Sequence, residues 1–174
     1  MSLTTDGHTT IRAPLPGDAA TLIAGRDTQF NLFMGEGSAD PQPSACIIAD
    51  GQVVGWTDYD PDLNCLESGE VNIGYNLFPT YRGKGHASRA VQLLIHHLAL
   101  DGMHDTAVFL IRKDNKASLA LAERLGFEHT GGEGENIRFK KSLPSLTYTD
   151  GIVTIRRRQL TDLDEDLTAK DNEQ

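Results

Sequence analysis

Cysteine is scarce: Cys46 and Cys65 are the only two in 174 residues. Two thiols cannot build a disulfide framework, and they read as reduced groups of a cytoplasmic protein. No Cys/His cluster has zinc spacing. His96 and His97 are adjacent on an expected helix and point in different directions, so no metal is expected. Long apolar runs are missing too, which argues against a membrane span. The opening Met1-Ser2-Leu3-Thr4-Thr5 lacks the basic and then apolar stretch of a secretory signal. Positive charge is in short supply, with 16 Lys and Arg against 25 Asp and Glu and a net charge of −9. A nucleic-acid binder would carry a basic footprint, so that class is not expected, whereas an amine partner is compatible. What is present is 39% hydrophobic residues, enough for one globular domain with a core.

Patterning divides the chain. Thr9 to Arg12 reads as a short strand ended by Pro14 and Pro16, and Asp18 as the N-cap of a helix reaching about Leu32. Gly35 to Pro43 is a loop. Ala45 to Ala49 and Gln52 to Tyr59 are strands joined by Asp50-Gly51, a strong hairpin signal. Glu70 to Phe78 is a third strand, closed by Pro79. From Gly85 the apolar residues Ala87, Val91, Leu94, Ile95 and Leu98 recur every three or four, an amphipathic helix ending near Gly102. Thr106 to Ile111 is a buried strand, Asn115 to Leu125 a helix stopped by Gly126, and Phe127 to Thr130 and Asn136 to Lys141 a final strand pair around Gly131 to Gly134. The order predicts an α+β domain, a mostly antiparallel sheet with helices packed on it.

The segment with chemistry is Arg82-Gly83-Lys84-Gly85-His86-Ala87, between a strand and a helix. Free backbone N–H groups and the positive helix end there make an anion site. Gly83 and Gly85 allow close approach, and Arg82 and Lys84 add charge. A phosphate loop of the Gly-Lys-Ser/Thr type fails, because Phe78 and Gly85 occupy its required positions. The dinucleotide fingerprint lacks its third Gly and its parallel βαβ unit. The pyrophosphate of coenzyme A is the remaining ligand class.

This hexapeptide resembles the Arg/Gln-x-x-Gly-x-Gly/Ala signature of the GNAT superfamily of N-acetyltransferases. Ile73-Gly74-Tyr75, Pro79-x-Tyr81, Asn115-x-x-Ser118 and Leu125-Gly126-Phe127 resemble it as well, across roughly Thr9 to Lys141. The likeness is nearest to the branch of ribosomal-protein alanine acetyltransferases. It implies a sheet of about seven strands, splayed open between the strand ending at Leu77 and the one ending near Ile111. It implies acetyl-CoA in that opening, its pantetheine along the backbone of Tyr75 and Leu77 and its pyrophosphate on the amides of Arg82 to Ala87. The thioester carbonyl would meet a backbone N–H near Leu77 or Phe78.

The same resemblance frames proton transfer. Relatives often carry a Tyr three residues before the Leu of Leu-Gly-Phe; here that position is Ala122, and Ser118 is the expected substitute. Asn115 can contact the coenzyme or only cap its helix. Relatives often carry Glu where this chain has Asn72, which cannot accept a proton. Glu70 shares that face of the strand and can act through a water, or be a solvated strand-end carboxylate. Tyr75 reads more readily as core than as catalytic. The expected acceptor is a primary amine, on a small molecule or a protein N-terminus, and a homodimer is compatible with this reading. The altered Asn72 and Ala122 positions leave a second reading, a non-catalytic acyl-CoA-binding regulatory half of a tandem protein.

A repeat bears on that second reading. Asp150-Gly151-Ile152-Val153-Thr154-Ile155-Arg156 echoes Asp6-Gly7-His8-Thr9-Thr10-Ile11-Arg12 at an offset of 144 residues, and Asp162 and Asp171 fall on Asp18 and Asp27. Either both are generic strand–helix starts, or residues 6–143 are one domain, 144–149 a linker and 150–174 the first strand and helix of a second copy.

Overall fold

The computed structural model describes residues 2–145, 147–149 and 154–156. Eight strands form one sheet: β1 (Ser2–Thr5), β2 (Thr9–Arg12), β3 (Ala45–Ala49), β4 (Gln52–Asp60), β5 (Glu70–Leu77), β6 (Thr106–Arg112), β7 (Glu128–Glu133) and β8 (Asn136–Ser142). Their spatial order is β1-β2-β3-β4-β5-β6-β8-β7. Every neighbouring pair is antiparallel except β5 and β6. Four helices accompany the sheet: α1 (Asp18–Ala24), α2 (Thr28–Met34), α3 (His86–Asp101) and α4 (Lys116–Arg124). This is the α+β, mostly antiparallel architecture expected, with β1 added at one edge.

The parallel pair organises the rest. β5 and β6 pair only at Glu70, Val71 and Asn72 with Thr106, Ala107 and Val108, although β5 runs on to Leu77 and β6 to Arg112. Beyond Asn72 the two strands part, and the sheet splays.

Packing explains which helix sits where. α3 buries Ala90, Val91, Leu93, Leu94, Ile95 and Leu98 in the main core with Val71, Ile73, Leu77, Phe109 and Leu121. Each large side chain removed from water there contributes about 1.5–3 kcal/mol. A smaller core contains Leu22 of α1, Cys46 and Phe78, with Trp56 packed against it. Strand alternation separates these two sets: Leu77 belongs to the main core and its neighbour Phe78 to the smaller one.

The expected single first helix is two helices. A Cβ on Gly25 would lie 2.2 Å from the Phe78 ring, so the backbone lies flat on that ring and α1 stops. Asp27 then restarts the helix by accepting from the Phe30 N–H at 2.8 Å. Asp18 is not the N-cap. Gly17 holds that position, and the Asp18 carboxylate instead takes the Arg12 fork at 2.6 and 3.1 Å and the Leu15 N–H at 2.7 Å.

The Arg12 hydrogen bonds outweigh burial and lower the Asp18 pKa from 3.8 to about 2. A carboxylate depressed in the folded state stabilises above its unfolded pKa and loses that contribution as pH falls through the folded value. Asp18→Asn is therefore expected to flatten the loss of stability between about pH 4 and pH 2, read by denaturant titrations at a series of pH values. A slope equal to wild type would remove this ion pair from the account of acid unfolding.

The last hairpin is longer than its pattern suggested. β7 continues through Gly131 and Gly132 to Glu133, and the turn falls after it. A separate two-stranded sheet joins β9 (Thr147–Thr149) to β10 (Thr154–Arg156). Its pairs Thr149↔Thr154 and Tyr148↔Ile155 sit 144 residues after Thr5↔Thr10 and Thr4↔Ile11 of β1 and β2. The third pair differs, Thr147↔Arg156 against Ser2↔Arg12, because β1 shifts register between Ser2 and Thr4. Apart from residues 154–156, the segment 150–174 read as a second copy lies outside the described residues.

Candidate active site

The parted strands expose backbone. The Phe78 N–H donates to Val54 O at 2.9 Å, which fixes the alternation of the antiparallel β4–β5 ladder. Residues 72, 74 and 76 then face β4, and the amide groups of Ile73, Tyr75 and Leu77 face the other way. On that side no strand among the described residues pairs with β5 after Asn72. Tyr75 and Leu77 are thus placed to receive an extended amide chain. Phe78 is not: its N–H is taken and its ring packs on the α1 side, which corrects the expectation that Phe78 meets the acyl donor.

Next comes the glycine loop. Gly83 and Gly85 have φ of +74° and +85°, a region costly for residues with a Cβ. An added Cβ at either would meet nothing within 4 Å, so the glycines serve the turn and leave open space in front of it. Gly85 is the N-cap of α3, with no side-chain cap, which leaves first-turn N–H groups for a ligand. Two side chains of the signature turn away. The His86 imidazole lies 3.4 Å from Thr9 Oγ1 and edge-on to Tyr81, and Lys84 Nζ sits over the Tyr81 ring at 5.4 Å. Both residues offer the cleft backbone only. The Arg82 guanidinium is held by Asp27 and Gln29, its Nε donating to Leu77 O at 2.9 Å. It ties the loop to the start of α2.

The opposite wall is α4. Asn115 Oδ1 accepts from the Ser118 N–H at 3.1 Å, the capping role. Ser118 Oγ is 3.0 Å from the Tyr75 hydroxyl. Ala122 is fully buried, so no hydroxyl enters from that turn.

These elements enclose two adjoining cavities. One, of about 530 Å³, is lined by Tyr75, Leu77, Arg82, Gly83, Gly85, Ala87, Asn115 and Ser118, together with Arg124. The other, of about 440 Å³, runs along Asn72 to Tyr75 and Phe109 to Arg112, reaching Glu135 and Asn136. Tyr75, Asn115, Ser118, Phe33 and Met34 line both. The first brings the glycine loop, Arg82 and Arg124 together with the Tyr75 and Ser118 hydroxyls, and the second reaches the same two residues from the β6 side.

Asn72 lines the second cavity, and its buried Oδ1 has no hydrogen-bond partner among the described residues. Glu70 is in neither cavity. Its carboxylate accepts from Arg138, from Lys140 at 2.6 Å and from the Glu67 N–H at 2.9 Å. Burial pushes its pKa up, but the Glu67 amide and the two cations prevail and hold it below the ordinary value. That is a structural ion pair, neither a solvated strand end nor a free base.

Reading the sequence missed the α2 wall (Phe30, Phe33, Met34), Arg124 and Glu135. Phe30, Phe33 and Met34 do recur at helical spacing, a signal that points to a shared face without saying what it covers.

Comparison with solved structures agrees with this architecture. A RimL ribosomal L7/L12 alpha-N-protein acetyltransferase in complex with coenzyme A superposes with a TM-score of 0.67 at 18% identity, over 82% of this chain and 98% of that one. An aminoglycoside acetyltransferase AAC(6')-Ib, in complex with coenzyme A and kanamycin, gives 0.67 at 18% over 77% and 94%. A probable acetyltransferase gives 0.66 at 20% over 82% and 97%. No curated protein sequence matches the chain. Residues 10–128 match the profile of the acetyltransferase (GNAT) domain, and the chain belongs to that family of N-acetyltransferases.

Proposed function

We propose that the protein transfers the acetyl group of acetyl-CoA directly to a primary amine, without an acyl-enzyme. The observation that carries this is the meeting of two cavities at Ser118 and Tyr75. One cavity is built on open glycine-loop amides and unpaired β5 backbone, the other is free for an acceptor. Acetyl-CoA enters the first with its diphosphate on the amides of Gly83 to Ala87, and Arg124 adds charge there. Its thioester carbonyl takes the Leu77 N–H, which stabilises the oxyanion as the amine attacks. Asn72 Oδ1 accepts a hydrogen bond from the amine and aims its lone pair. Glu135 is the one carboxylate among the described residues lining either cavity, and it takes up the proton the amine sheds. Ser118 protonates the departing thiolate.

Ser118→Ala is expected to lower kcat about 100-fold with little change in the KM for acetyl-CoA, because a positioned acid contributes on the order of 10²–10⁴. The assay is thiol release from acetyl-CoA with kanamycin, a Ser-initiated peptide and an Ala-initiated peptide as acceptors. Unchanged kcat in the variant would move the acid elsewhere.

A second reading has its own observation. Two of the three β9–β10 pairs repeat β1–β2 pairs at the offset of the sequence repeat, as the opening of a tandem domain would. This domain would then be an acyl-CoA-binding regulatory half. Micromolar acetyl-CoA binding with no turnover on any amine of the panel would favour it.

A further inference from the structure

Assigning the acid to Ser118, on which this section rests, leaves a chemical mismatch. An aliphatic hydroxyl is a weaker acid than the thiol it must generate, so proton transfer from it alone runs uphill. A phenol is far closer, with tyrosine near 10 and a thiol near 8.5. Tyr75 presents one at the right place. Its hydroxyl is 3.0 Å from Ser118 Oγ, and its ring is fixed edge-on against Phe109 with centroids 6.2 Å apart. It approaches from β5, the wall facing α4, and lines both cavities, as Ser118 does.

We infer that Tyr75 and Ser118 form a two-hydroxyl relay in which Tyr75 is the proton source for the leaving thiolate. As the C–S bond of the tetrahedral intermediate breaks, its electron pair goes to sulfur. Sulfur takes the Ser118 Oγ proton while Ser118 takes the Tyr75 phenolic proton. The tyrosinate regains a proton from solvent, and the proton shed by the amine leaves to solvent through Glu135. The net change is one proton moved from nitrogen to sulfur. The helix position left empty at Ala122 is thus replaced from across the cleft.

The surroundings set the pH behaviour. Ser118 and Arg124 face Tyr75 from α4, Arg82 from the glycine loop, Phe109 from β6 and Thr57 from β4. Burial raises the phenol's pKa more than Ser118 and the two arginines lower it. The hydroxyl therefore stays protonated through the neutral range, and kcat falls only when pH climbs above the ordinary tyrosine range.

Two measurements test the relay. Tyrosine labelled with ¹³C at Cζ is followed at neutral pH, with Tyr75 assigned through Tyr75→Phe, while CoA or desulfo-CoA is added. The Tyr75 signal is expected to move with CoA and much less with desulfo-CoA, since only the former carries sulfur to the pair. Equal shifts overturn the relay, and an absence of binding by either carrier overturns it together with the acetyl-CoA reading. Kinetics of Tyr75→Phe, Ser118→Ala and the double variant use the panel amine that turns over. Tyr75→Phe is expected to lower kcat about 100-fold and keep the KM for acetyl-CoA within about twofold. Its solvent-isotope proton inventory is expected to change from curved to linear. Because the two residues act as one unit, the double variant should lose no more than either single one. Wild-type kcat in Tyr75→Phe, or losses that multiply, overturns the proposal.

Discussion

Gly85→Trp protein is expected to fold and to show acetyl-CoA affinity reduced about 1,000-fold. The argument begins at the backbone. Gly85 sits at φ +85° as the uncapped N-cap of α3, and the space its Cβ would enter is empty. An indole fills that space, which is where the diphosphate must lie to reach the first-turn amides. Hydrogen bonds from backbone amides to a charged group contribute about 1.5–3 kcal/mol each. Losing two removes roughly 4 kcal/mol, or about a thousandfold in affinity. The left-handed conformation adds a stability cost of about 1–2 kcal/mol. Gly51 supplies the control, with φ +74° and nothing within 4 Å, in the β3–β4 turn. Gly51→Trp should carry the same strain and bind the coenzyme normally. Titration calorimetry beside a thermal melt separates the two costs. Normal binding by Gly85→Trp would mean that the diphosphate lies elsewhere.

The second large effect concerns Glu70. Its side chain is 4% exposed, and its partners Arg138 and Lys140 are 16% and 24% exposed. Removing Glu70 leaves Arg138 without a carboxylate, while Lys140 keeps Glu67 at 2.9 Å, and breaking such a buried pair costs about 3–5 kcal/mol. Glu70→Ala is therefore expected to lower Tm by about 6–20 °C, taking about 2–4 °C per kcal/mol for a chain of this size. Its kcat at a temperature where the variant is folded should stay within about twofold of wild type. The opposite pattern, wild-type stability with kcat reduced about 100-fold, would make Glu70 the base after all. The pair also gives a pH signature. Because the folded carboxyl is held below its ordinary value, its stabilisation is present above pH ~4.3 and lost as pH falls through the folded value.

Legibility in the sequence followed the range of the interactions. The glycine loop, the amphipathic stripe of α3 and the Asp50-Gly51 hairpin are local, and each could be read from a few neighbouring residues. The splayed sheet was expected through family resemblance; its physical basis, a β5–β6 pairing that ends at Asn72 and Val108, joins strands 36 residues apart. The break at Gly25 needed Phe78, which is more than fifty residues away in sequence yet fills the space a side chain would need. Gly25 and Asp27 did carry the stop and start signals, but the helical run around them masked both. The roles of Glu70 and Asn72 were the least accessible. Both lie on the same face of one strand, and only the positions of Arg138 and Lys140 on β8 make one an anchored ion pair. The other is left at the cavity with an unpartnered oxygen. Tyr75 changed standing for the same reason: its hydroxyl gains meaning from Ser118, which α4 brings across the cleft.

The most direct measurement is a crystal structure of the protein soaked with acetyl-CoA. The account predicts diphosphate oxygens within hydrogen-bonding distance of the N–H groups between Gly83 and Ala87, the pantetheine along the open β5 edge, the thioester carbonyl at the Leu77 N–H, and the sulfur beside Ser118. An ordered coenzyme bound anywhere else, or a β5–β6 gap that stays empty at saturating acetyl-CoA, would contradict it.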